Sequence, residues 1–114
     1  MVRLSRGLPD YDWTDALRSE NQGRRMAGYA WLYARPDPAA AETLVQTLTA
    51  RENTNFGQYW AIQALQKCLP LTDIRTEAAL KPELKTFLSG LPSDSDRHYE
   101  LSKLLTPAAG QFQH

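Results

Sequence analysis

The stretch Met26-Ala27-Gly28-Tyr29-Ala30-Trp31-Leu32-Tyr33-Ala34-Arg35-Pro36-Asp37-Pro38-Ala39-Ala40-Ala41-Glu42-Thr43-Leu44-Val45-Gln46-Thr47-Leu48 decides the fold class. Met26, Tyr29, Ala30 and Tyr33 recur at the spacing of one helix face, which predicts a helix over 22–34. Ala27, Trp31, Leu32 and Ala34 fill much of the remaining circumference, the pattern of a helix buried on several sides. Arg35-Pro36 ends it, because a residue before proline is pushed out of the helical region. Asp37-Pro38 restarts the chain, with Asp as N-cap and Pro at the first helical position. Ala41, Leu44, Val45 and Leu48 then form a stripe, with Glu42, Thr43, Gln46 and Thr47 opposite. So short a connection predicts an antiparallel helical hairpin.

The same punctuation continues outward. Upstream, Asp10 is placed to cap a helix over about 11–20, with Trp13, Ala16 and Leu17 on one face. Downstream, Glu52-Asn53-Thr54-Asn55 is a polar break, and Asn55 with Gln58 has the spacing of a capping box. A helix from Phe56 to about Cys68 carries Tyr59, Ile62, Leu65 and Leu69, and Pro70 closes it. A short helical piece is expected around 73–79 and a clearer helix near 81–89. There Leu80, Leu84, Phe87, Leu88 and Leu91 share a face, and Gly90 serves as cap. Ser93-Asp94-Ser95 opens a last helix to about Leu105, with Leu101, Leu104 and Leu105 inward, and Pro107 stops it. No segment alternates apolar and polar residues in the manner of a strand. The expectation is one all-α domain of about five to seven helices over 1–114, ordered from about 10 to 106 and flanked by tails at 1–9 and 107–114.

Successive hairpins raise the question of a repeat. Ala27, Ala30 and Pro36 match Ala61, Ala64 and Pro70 at an offset of 34, and Leu44 and Leu48 match Leu84 and Leu88 at 40. The connector containing Thr72 to Arg75 absorbs the difference. Leu101 and Leu104 begin a third unit. This pattern resembles degenerate HEAT-type repeats, in which helix pairs stack into a short α-α superhelix; the alternative is an irregular helical bundle. The segments Tyr29-Ala30-Trp31-Leu32 to Pro36-Asp37-Pro38, Asn55-Phe56-Gly57-Gln58-Tyr59-Trp60-Ala61-Ile62-Gln63-Ala64 and Asp96-Arg97-His98-Tyr99-Glu100-Leu101 are similar to a HEAT-like helical module of bacterial multidomain proteins. Its most specific piece is Phe56-Gly57-Gln58-Tyr59-Trp60. That resemblance implies an adaptor or scaffold accompanying effector or signalling domains, with no catalytic motif to carry over.

Composition narrows the function classes. The chain has 114 residues, 42% of them hydrophobic and 23% charged, which suits a folded domain and not a disordered one. Its 13 basic and 13 acidic residues cancel and are interspersed. A nucleic-acid binder normally carries a basic excess that neutralises phosphates, and a membrane-surface binder a polybasic patch. Neither is present. No apolar run approaches the ~20 residues needed to span a bilayer, and residues 1–7 lack the apolar core of a signal peptide. The lone Cys68 fits a reducing compartment, so the cytoplasm is expected.

Candidate chemistry is sparse. Cys68 and His98 are a conceivable nucleophile–base pair, but a lone cysteine in an apolar helical stretch reads as a small core residue. His98 and His114 are the only histidines, and no metal-ligand spacing occurs, so neither metal nor cofactor is expected. Asp10, Asp12 and Asp15 near the first helix, and Asp94 and Asp96 near the last, suit helix N-termini. The chain is therefore expected not to be an enzyme.

Aromatic residues near arginines are the usual make-up of a protein-binding hot spot. Arg24, Arg25, Tyr59, Trp60, Arg97 and Tyr99 are accordingly the candidate protein-interaction residues, with a protein partner or a second copy as ligand and neither nucleic acid nor membrane. Arg24 and Arg25 stand at a helix start, where the dipole disfavours cations, so an acid is expected to compensate them. The alternative is a small helical nucleic-acid-binding domain, a helix-turn-helix over 38–69, yet Gln58, Gln63, Gln66 and Lys67 there supply only one positive charge.

Overall fold

Five of the six described α-helices start where a short polar side chain holds an amide of the first turn, and the other continues a 3-10 turn that is capped in the same way. In the computed structural model, which describes residues 11–106, Asp12 caps α1 (Trp13–Arg18) and Asn21 caps α2 (Gln22–Ala34). Asp37 caps a 3-10 turn (Pro38–Ala40) that leads into α3 (Ala41–Gln46). Thr54 caps α4 (Asn55–Cys68), Asp73 caps α5 (Ile74–Ser89) and Ser95 caps α6 (Asp96–Leu105). In each of these caps a side-chain oxygen accepts from a backbone N–H that the helix leaves unpaired. The chain is all-helical, with no strand among the described residues.

The helix at the centre is α4. It packs against α2 on one side and α6 on the other, so α2, α4 and α6 form a row. α1 lies against α2, while α3 and α5 meet each other and cover the row from one face, α3 against α4 and α5 against α6. α4 can be central because its inward positions are small or aliphatic: Gly57, Ala61, Ile62, Ala64, Leu65 and Cys68. Tyr29 and Leu32 from α2, Leu44, Val45 and Leu48 from α3 and the turn after it, Leu84 from α5 and Leu101 from α6 complete a continuous core. Each fully buried leucine there contributes about 1.5–3 kcal/mol.

Several sequence expectations change. The α2–α3 connection is short, yet the closest neighbours of α2 are α4 and α1. α2 is also not buried on several sides. Its covered face is Arg25, Gly28, Tyr29 and Leu32, and Ala27, Ala30 and Ala34 face outward. The alanine pairs at offset 34 therefore do not share an environment, since Ala61 and Ala64 are fully buried. The cap of α4 is Thr54, one residue before the expected Asn55, and Gln58 donates to the Glu52 carbonyl instead of closing a capping box.

The two helices expected at 73–79 and 81–89 are one, α5, which runs through Pro82. Pro82 lies on the exposed side, and burial of Leu80 and Leu84 offsets the hydrogen bond its ring removes. α3 widens at its end into a π-turn over Thr47–Arg51, closed by the Glu52 N–H on the Thr47 carbonyl at 2.8 Å. The expected cap Asp10, the stop at Pro107 and both tails lie outside the described residues.

Candidate functional site

The π-turn delivers Glu52 inward, and the polar residues around α4's first turn close on it. Both carboxylate oxygens are engaged. Oε1 accepts from Arg25 Nε at 2.9 Å and from the Tyr29 hydroxyl at 2.7 Å. Oε2 accepts from Arg25 Nη2 at 3.3 Å and from Thr54 Oγ1 at 3.0 Å. Arg25 also donates to the Ser19 carbonyl, and Gln22 donates to Thr54 Oγ1. Arg25 and Glu52 are only 4% and 5% exposed. A Cβ on Gly57 would overlap the Glu52 carboxylate, so glycine is what lets α4 come this close.

The hub's electrostatics follow from this geometry. The hydrogen bond to Glu52 raises the Arg25 pKa above its ordinary value. Burial, reinforced by the hydrogen bond to Glu52, pushes the Tyr29 phenol well up. Burial alone would raise Glu52, but hydrogen bonds from Arg25, Tyr29 and Thr54 outweigh it and hold the carboxyl below its ordinary 4.5. The Arg25, Tyr29, Glu52 and Thr54 side chains thus satisfy one another inside the protein.

The other side of the same turn is open. Asn55, Phe56 and Tyr59 of α4 face Ser95, Asp96 and Arg97 at the start of α6 across a groove of about 510 Å³. Phe56 is 63% exposed. Arg97 Nη1 donates to Gln58 Oε1 at 2.6 Å, which ties α6 to α4 and fixes the guanidinium at the groove wall. Tyr59 meets Trp60 edge-on at 5.7 Å, and Trp60 meets Tyr33 of α2 edge-on at 5.9 Å. An aromatic row thus runs from the groove to the α2 edge.

The six candidate residues from sequence do not form one patch. Tyr59 and Arg97 line the groove. Trp60 sits half-buried in the aromatic row. Tyr99 is 62% exposed on α6, with Lys103 Nζ 5.2 Å from its ring centroid, and does not line the groove. Arg24 forms a surface ion pair with Asp15, an arrangement worth little in water. Arg25 is a correction. It was expected beside Arg24 as a contact for a partner, but its compensating acid is Glu52, inside the protein. Sequence reasoning singled out Phe56-Gly57-Gln58-Tyr59-Trp60 without making Phe56 a site residue, and it missed Asn55, Ser95 and Asp96.

Other chemistry is restricted by placement. Cys68 is fully buried, and burial raises its thiol pKa, leaving a protonated and inaccessible sulfur. Among the described residues no cluster of three or more His, Cys, Asp or Glu side chains is arranged to hold a metal ion. In the segment of the alternative helix-turn-helix, Gln58 and Gln66 are held in hydrogen bonds to the Glu52 carbonyl and to Glu100. No described helix is long and apolar enough to cross a membrane. Comparison with protein-family models, curated proteins and solved structures finds no match for this chain.

Proposed function

We propose that this chain is a non-catalytic protein-interaction module and that its groove between α4 and α6 receives a segment of a partner protein. The observation that carries the reading is the largely exposed Phe56, with Tyr59 beside it, at an open groove whose polar rim includes Arg97. An exposed aromatic beside an arginine on rigid helices is the make-up of an interface hot spot. The neutral overall charge disfavours nucleic acid, whose binding depends on phosphate neutralisation. The sequence resemblance to HEAT-like modules favours an adaptor role in a bacterial signalling or defence-type assembly, working in the cytoplasm. The partner is then an effector or signalling domain, or a second copy.

The test is site-specific photocrosslinking in the native cells. Benzoylphenylalanine replaces Phe56 in one strain and Lys85, exposed on α5, in another. A protein adduct specific to position 56, and reduced by Tyr59→Ala in the same chain, is the expected result. Equal adducts at both positions, or none at 56, remove the reading. Light scattering of the purified chain distinguishes a second copy from another protein.

A further inference from the structure

We infer that the groove's partner segment presents a carboxylate next to a bulky apolar side chain. This rests on the interaction reading above and adds the chemistry of what is recognised. The apolar half of the argument is the wall made by Phe56 and Tyr59, which water alone covers poorly. The charged half is Arg97. Among the described residues its guanidinium pairs with no carboxylate, and its hydrogen bond to Gln58 holds it at the groove wall in advance of any ligand.

The backbone adds donors of the same sign. Thr54 and Ser95 satisfy the amides of Gly57 and His98, one per helix. The N–H groups of Asn55, Phe56, Asp96 and Arg97 have no partner among the described residues, and all four residues line the groove. Two helix N-termini therefore add their positive ends to the guanidinium. Against them stands one anion in the lining, Asp96. The balance is a donor-rich, positively biased pocket with an aromatic wall, and its complement is an acidic residue adjoining an aromatic or large aliphatic one. Asp96 works against such a ligand and limits its affinity.

Two isosteric probes separate charge from shape: N-acetyl-aspartyl-phenylalanine amide and N-acetyl-asparaginyl-phenylalanine amide. Each is titrated at millimolar concentrations into the ¹⁵N-labelled full chain. The aspartyl probe is expected to move the amide resonances of residues 55, 56, 96 and 97 and to bind at least fivefold more tightly than the asparaginyl probe. Arg97→Gln should weaken it several-fold, Arg97→Lys should restore part of the loss, and Asp96→Asn should tighten it. Equal binding of the two probes, or Asp96→Asn weakening the acid, overturns the inference, as does the absence of shifts at these amides. Equal binding with shifts around Phe56 and Tyr59 leaves the interaction reading standing. The crosslinking at position 56 tests that reading without reference to charge.

Discussion

The first turn of α4 has two sides that solve opposite problems. On one, Gly57 makes room for the Glu52 carboxylate, which Arg25, Tyr29 and Thr54 saturate with hydrogen bonds away from water. On the other, Phe56 and Tyr59 leave apolar surface uncovered beside Arg97. Adjacent positions in a helix point about 100° apart, so neighbours such as 56 and 57 can serve a closed hub and an open groove at once. On the proposed reading the hub supplies stability and the groove recognition. The hub also has a second consequence, because fixing the segment 52–54 fixes where α4 begins and hence where Phe56 stands.

The sharpest way to break this division is Arg25→Ala. It strands a carboxylate in the interior, and removing one partner of a buried pair typically costs about 3–5 kcal/mol. That is a large share of the ~5–15 kcal/mol by which small domains are stable. Urea denaturation measures it, and a loss below about 1 kcal/mol would show a hydrated pair and dissolve the contrast.

Next in size is Gly57→Ala, at about 1–3 kcal/mol for overpacking. Its methyl collides with the Glu52 carboxylate and not with backbone, so its cost depends on that one side chain. In a Glu52→Ala background the added penalty of Gly57→Ala should largely vanish. A double-mutant cycle reads the coupling directly, and additive costs would mean that Gly57 serves something else.

Acid titration sharpens the hub side further. Glu52 has a folded pKa below its unfolded value of about 4.5. A depressed carboxylate contributes stability that is complete above the unfolded value and lost as pH falls through the folded one. Stability measured from pH 7 to pH 2 should therefore hold down to about pH 5 and then decline. Glu52→Gln, less stable at neutral pH, should show a shallower decline. The residual slope belongs to Glu100, whose carboxyl is lowered by the hydrogen bond from Gln66, and to Asp73, lowered by the Thr76 amide it caps. An unchanged slope in Glu52→Gln would place the acid sensitivity outside the hub.

The helices were legible because their signals are local. Proline after Arg35, Asp before Pro38 and the leucine periodicity of the last helix act within a few residues, and all agree with the structure. The break expected between 79 and 81 is absent for the complementary reason: a proline at 82 has a real local cost, and the burial of Leu80 and Leu84 that offsets it comes from elsewhere in the fold. The hub is non-local by construction. Arg25 and Glu52 are 27 positions apart, and nothing in Arg24-Arg25 says which arginine turns inward. Gly57 was the available clue, a glycine inside a helix otherwise rich in large residues, where only close approach justifies the lost helix propensity. The groove was half legible. Tyr59 and Arg97 carry the aromatic–arginine signature, but which aromatics remain uncovered depends on where α6 lies.

The smallest expected effect is the most informative about the groove. Phe56 is mostly in solvent, its backbone is helical and it lies outside the core cluster. Truncation at such a site changes stability by within about 0.5 kcal/mol. Phe56→Ala should therefore melt with the wild-type chain while losing whatever partner the groove holds, the reverse of Arg25→Ala, which should lower stability without removing a groove side chain. A measured loss of 2 kcal/mol or more, roughly what burying a large apolar side chain is worth, would mean that Phe56 packs inside the protein in solution. The groove would then be closed, and the division of labour across α4 would fall with it.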